Sequence, residues 1–255
     1  MHSYEEEDNA PVRGHRKVTR KTKEASGGVK HVKEKFVEER ANVTTLKPWN
    51  DLQAEYIKLI DTKPLVVASG FPGTSKTYIP TVMACDKLRS GEIDRIYLTR
   101  PNISNSKSLG YFSGDIFQKM QSWLMPVLST LYERLGRAAA EIAIKNGDIS
   151  FVPLETIKGM SFGKRSFTII DEAEDITIVE AKSIVTRQGG GVMVLAGDLE
   201  QSALNEKSGL AWVKKMVEKY PHLSDTVGFV DFNRPSDIVR SEACKQWILA
   251  MRKEV

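Results

Sequence analysis

Cysteine is nearly absent: Cys85 and Cys244 are the only two in 255 residues. Two thiols so far apart in the chain make no disulfide framework, so both read as reduced packing residues of a cytoplasmic protein. Histidine is scarce as well. His2, His15, His31 and His222 are scattered, and no Cys/His cluster has metal-ligand spacing. No apolar run approaches the ~20 residues that cross a bilayer, so no membrane partner is expected. The opening MHSYEEEDNA is too acidic and polar for a signal peptide. Internal repeats are missing too. A net charge of +4 is too small to identify a nucleic-acid partner. What remains is a chain with 41% apolar residues, enough for a globular core of one large domain or two small ones.

The charge is unevenly spread. Residues 11 to 35 carry nine basic and two acidic side chains, a local +7, beside Glu5, Glu6, Glu7 and Asp8. With no sustained apolar periodicity and a Gly27-Gly28 break, residues 1–45 read as a disordered or loosely helical arm. Such an arm suits contact with a phosphate backbone, and equally a solvated tail. The folded domain is expected over residues 46–255.

Its centre is LVVASGFPGTSKT, residues 65 to 77. Leu65 to Ala68 have the length and β-branched content of a buried strand. The loop that follows is close to the phosphate cradle G-x-x-x-x-G-K-[ST], in which main-chain N–H groups curl around an anion. Gly70, Pro72, Gly73, Thr74 and Ser75 form the cradle. Lys76 reaches the β- and γ-phosphates, and the Thr77 hydroxyl serves Mg²⁺. The motif's second glycine is replaced by Ser75, whose Cβ predicts a distorted or weakened cradle. Pro80 predicts a kink about a turn into the next helix.

Asn50 caps an amphipathic helix carrying Leu52, Tyr56, Ile57 and Ile60. On it, Gln53 has the paired donor and acceptor that read an adenine edge, or is a plain exposed glutamine. Further strands are expected at 95–99, 149–154, 167–170, 192–196 and 226–232. Arg100 follows the first of these, where α/β sheets place ligand contacts. Residues 102–114 read as a loop, and 116–135 as two helices divided by Pro126. The strand at 167–170 delivers Asp171 and Glu172, one carboxylate for the Mg²⁺ shell and one to polarise water. After 192–196, Gln201 is placed to meet a γ-phosphate and Asp198 to pin its loop. Arg240 is expected on a closing helix from 236 to 251, as an arginine finger across a subunit boundary or as a surface cation.

Together GFPGTSKT, LTRP (98–101), GYFSGDIFQKM (110–120), PLETIKGMSF (153–162), IIDEAED (169–175), GDLEQ (197–201) and DIVRS (237–241) resemble the PhoH family over about residues 46–250. The resemblance implies an α/β fold with a RecA-like P-loop core. It implies ATP and Mg²⁺ as ligands, with Lys76 and Thr77 on the nucleotide, Asp171 on the metal and Glu172 in hydrolysis. Gln201 matches the family's γ-phosphate sensor, and Gln53 looks like the adenine-reading glutamine of related helicases. It also implies single-stranded nucleic acid, RNA above all, and self-association, since a lone motor core needs a neighbour, in some relatives a ring. A nucleotide-binding regulatory module with little hydrolysis is the alternative. In such a core the 192–196 strand inserts between 65–68 and 167–170, giving parallel order 5-1-4-3-2 with helices on both faces.

Overall fold

The structure is a computed structural model and describes residues 44–101, 116–204 and 207–252; side chains of 116–124 and Lys158 are excluded. Residues 1–43 of the charged arm and the 102–114 loop lie outside the described residues.

In chain order the elements are α1 (Asp51–Thr62), β1 (Leu65–Gly70), α2 (Tyr78–Ser90), β2 (Arg95–Thr99), α3 (Ile116–Leu135), α4 (Arg137–Asn146) and β3 (Ile149–Phe151). Then come β4 (Phe162–Gly163), β5 (Ser166–Ile170), α5 (Ile178–Val185), β6 (Gln188–Gly189), β7 (Val192–Gly197), α6 (Gly209–Lys219), β8 (Val227–Phe232) and α7 (Glu242–Met251). Six strands form one sheet in the order β3-β2-β5-β7-β1-β8, with every neighbouring pair parallel. Apart from β3, its five strands follow the expected 5-1-4-3-2 order of a RecA-like P-loop core. The addition is β3, a short edge strand beyond β2.

Alternation along the strands explains why both faces are covered. Val66, Ala68, Phe167, Ile169 and Val194 point into one core, with residues of α1 to α4. Leu65, Val67, Ile170, Met193 and Leu195 point into the other, with residues of α5 and α6. Each strand therefore buries two stripes, which is why it reads as a continuous apolar run.

Several local expectations change. Pro126 does not divide α3, which runs unbroken through it. Val127, Leu128 and Leu131 are buried beyond that point, and their packing offsets the one lost backbone bond. Pro80 is the third residue of α2, where the missing N–H would have had no partner inside the helix. The strand expected to reach residue 154 stops at Phe151, and residues 154–159 form a 3₁₀ turn. The closing helix begins only at Glu242 behind a Ser241 cap, so Arg240 precedes it. Cys85 is buried as expected, whereas Cys244 is exposed. Among the described residues no helix is long and apolar enough to cross a membrane.

Candidate functional site

The loop between β1 and α2 opens at the C-terminal end of the sheet, where parallel strands place ligand sites. Its curl uses positive φ at Gly70 (120°), Gly73 (75°) and Ser75 (70°). The cradle is thus not distorted at Ser75. The serine itself adopts the left-handed backbone that glycine would supply, at a cost of about 1–2 kcal/mol.

Neighbouring elements hold the loop. Tyr56 on α1 donates its hydroxyl to the Lys76 carbonyl at 2.7 Å. The Val239 N–H donates to the Gly73 carbonyl at 2.9 Å, and Thr74 Oγ1 to the Phe71 carbonyl at 2.9 Å. Gln53 belongs to this bracing. It is 1% exposed, with Oε1 accepting the Trp49 N–H (2.9 Å) and Nε2 donating to the Thr74 carbonyl (3.3 Å). It is not the exposed glutamine that the sequence also allowed, because both amide ends are engaged behind the loop.

A cleft of about 440 Å³ lies over the loop, lined by residues 72–77 and by Asp171, Glu172, Gly197, Asp198, Gln201 and Arg240. Sites drawn from four separate stretches of sequence therefore meet in one place. Thr77 donates its hydroxyl to Asp171 Oδ1 at 2.6 Å, joining the end of the cradle to the end of β5. Lys76 folds over the loop and donates Nζ to the Gly70 (2.6 Å) and Phe71 (2.7 Å) carbonyls. Burial pushes the Lys76 ammonium below the ordinary lysine value, while Asp198, Glu174, Asp171 and Glu172 pull it back. Burial also raises the Asp171 acid, opposed by the Thr77 hydroxyl.

Glu172 caps a 3₁₀ turn at residues 173–175 and sits in the left-handed region, φ 50°. Among described residues it and Ser75 are the only non-glycines with positive φ. Its Oε1 pairs with the guanidinium of Arg100, just past the end of β2, at 3.0 Å. Asp198 pins its loop as expected: it accepts from the Glu200 N–H (3.2 Å) and from Gln201 Nε2 (2.9 Å). Burial pushes the Asp198 acid up, against the pull of Lys76. Arg240 stands in this chain's own cleft wall, close enough to Gly73 that a Cβ there would meet Arg240 Cγ at 2.6 Å.

Two residues escaped the sequence reading. Arg252, after α7, lies over the Phe71 ring at 3.7 Å and pairs with Glu200, tying α7 to the loop of Glu200 and Gln201. Glu174, buried under β7, reads in the sequence as one more acid at a helix start. The signal was its spacing from Asp171, three residues into a tight turn.

One carboxylate and one hydroxyl in contact are the hard oxygen donors that Mg²⁺ accepts when phosphates and waters complete its shell. Among the described residues no cluster of three or more His, Cys, Asp or Glu could hold a metal alone.

The family model described as PhoH-like protein matches residues 45–252. The chain belongs to the PhoH-like family. A PhoH-like protein of Bacillus subtilis (strain 168) is 33% identical over 205 residues, covering 79% of this chain and 62% of that protein. Protein PhoH of Escherichia coli (strain K12) is 32% identical over 206 residues, covering 79% of this chain and 56% of its own length. The matched region is thus about three-fifths of these PhoH-like relatives. Among solved structures, the UvsW helicase of bacteriophage T4 aligns with a TM-score of 0.43 at 11% identity, covering 78% of this chain and 66% of the helicase.

Proposed function

We infer that this PhoH-like chain is a Mg²⁺-dependent ATPase whose hydrolysis is coupled to single-stranded nucleic acid, with RNA the favoured strand. The observation that carries the reading is the Thr77–Asp171 contact beneath Lys76, with Glu172 one residue further on. The cradle binds a triphosphate through its main chain. Lys76 exchanges its loop carbonyls for phosphate oxygens, a trade of neutral acceptors for anionic ones. Thr77 and Asp171 would hold Mg²⁺, which when bound offsets charge on the phosphates. Glu172 orients and deprotonates the attacking water. Gln201 and Asp198 follow the γ-phosphate from β7, and Arg240 adds positive charge at the rim. Residues 46–255 serve as one such domain in a cytoplasmic homo-oligomer, with the basic arm as a further nucleic-acid contact. The test is phosphate release with and without RNA or DNA in wild type, Lys76→Ala and Glu172→Gln. Background rates shared by all three proteins would end the reading.

The Arg100–Glu172 ion pair favours a second reading, a nucleotide-binding assembly module with little turnover, because the pair occupies the carboxylate that hydrolysis needs. Titration with labelled ATP during light scattering separates the two. Binding and a mass change without phosphate release select the module.

A further inference from the structure

Glu174 is a third carboxyl beside the cleft that the proposed reaction does not use. It is 2% exposed. A Cβ on Gly197 would come within 2.3 Å of Glu174 Oε2, so β7 ends in glycine where this carboxyl lies. Oε2 has no hydrogen-bond partner among the described residues. The Asp198 N–H reaches the carboxyl from the sensor loop, and the Glu172 carboxylate lies within hydrogen-bonding reach of it. The two loops are also tied by main chain: Ser202 Oγ donates to the Glu174 carbonyl at 2.9 Å, and the Ala203 N–H to Asp175 Oδ1 at 2.9 Å.

The buried Glu174 carboxylate and the half-exposed Glu172 carboxylate repel when both are ionised, and the N–H groups of Glu174 and Asp198 offset this only in part. A neutral Glu174 removes the conflict. Its O–H donates to Glu172 and satisfies the orphaned oxygen, while the remaining oxygen accepts from Asp198. Burial, then the contact with Glu172, push this acid up to about 9. The groups that face it are Glu172, Asp198 and, across the cleft, Lys76.

We propose that Glu174 is a positioning residue, which donates a hydrogen bond to Glu172 and accepts one from Asp198, so that the water-activating carboxylate moves with the γ-phosphate sensor loop. This rests on the hydrolysis reading above. Glu172 sits on strained left-handed backbone, and Arg100 pulls its carboxylate toward β2. The Glu174 contact opposes that pull and ties the aim of Glu172 to the loop that meets the phosphate.

The experiment uses the full chain and compares steady-state ATPase kinetics of wild type, Lys76→Ala, Glu174→Leu and Glu174→Gln, with labelled-ATP binding measured beside them. Leucine fills the space without polar atoms and is expected to lower kcat tenfold or more while Kd shifts less than about threefold. Glutamine keeps a donor and an acceptor and is expected to restore most of that loss. A double-mutant cycle of Glu172→Gln and Glu174→Leu in urea unfolding is expected to show coupling of about threefold or more in the unfolding constant. Leucine turning over like wild type overturns the positioning role alone, as does additivity in the cycle. Glutamine no better than leucine overturns it too. Wild type no faster than Lys76→Ala overturns the hydrolysis reading and the role together.

Discussion

Replacing Ser75 by glycine tests how the strained cradle is held. Ser75 has φ 70°, and its Cβ makes that conformation cost about 1–2 kcal/mol. Glycine removes this cost but loses more backbone freedom on folding, about 0.5–1 kcal/mol. The difference leaves Ser75→Gly more stable by up to about 1.5 kcal/mol, or a Tm higher by as much as roughly 6 °C for a domain of this size. Urea unfolding followed by circular dichroism measures it. Nucleotide binding gives the sharper reading. The left-handed turn is held from within the chain, by Tyr56, Val239 and Gln53. The strain is therefore met during folding rather than binding, and labelled-ATP Kd is expected to change less than about threefold. If Ser75→Gly tightens ATP tenfold or more, the loop reaches this geometry only with ligand, and the reasoning fails. A destabilised Ser75→Gly refutes it equally.

Gly197→Ala drives a Cβ to 2.3 Å from Glu174 Oε2 and 2.8 Å from its backbone nitrogen, and is expected to cost about 1–3 kcal/mol in urea unfolding. Tyr56→Phe removes the hydroxyl that braces the Lys76 carbonyl and is expected to cost about 1 kcal/mol, with weaker ATP binding by calorimetry. The raised Glu174 acid sets a pH trend. The folded chain holds a proton that the unfolded chain releases above about 4.5, so this group's stabilisation is fully present below that value and is lost as pH rises through about 9. Urea midpoints of wild type are expected to fall relative to Glu174→Gln between pH 5 and pH 9; a constant gap contradicts this.

The sheet was legible because its strands are buried on both faces. Leu65 to Ala68 and Phe167 to Ile170 offer no polar stripe except Thr168, and a run without one has few places to go but the middle of a parallel sheet. Asp171 and Glu172 were legible because a strand end fixes where its next two residues fall. Pro126 misled because local propensity was weighed without the burial of Val127, Leu128 and Leu131, which holds α3 together across it. Arg240 misled because Ser241 was not read as a cap, although it accepts from the Cys244 N–H and starts α7 there.

Gln53 and Glu174 were illegible for a different reason, and it bears on how the site is built. Gln53 lies on a helix that the sequence reading located and Glu174 on a 3₁₀ turn that it did not, yet the partners of both come from loops distant in the chain. Gln53 meets Thr74, and Glu174 meets Gly197 and Asp198. Residues of this kind surround the two strained positions, Ser75 on one wall of the cleft and Glu172 on the other. Left-handed non-glycine backbone persists only where surrounding contacts over-determine it. The polar residues that look dispensable in the sequence are the ones supplying those contacts. Substituting them should therefore change how the cleft is held before it changes which groups face the nucleotide.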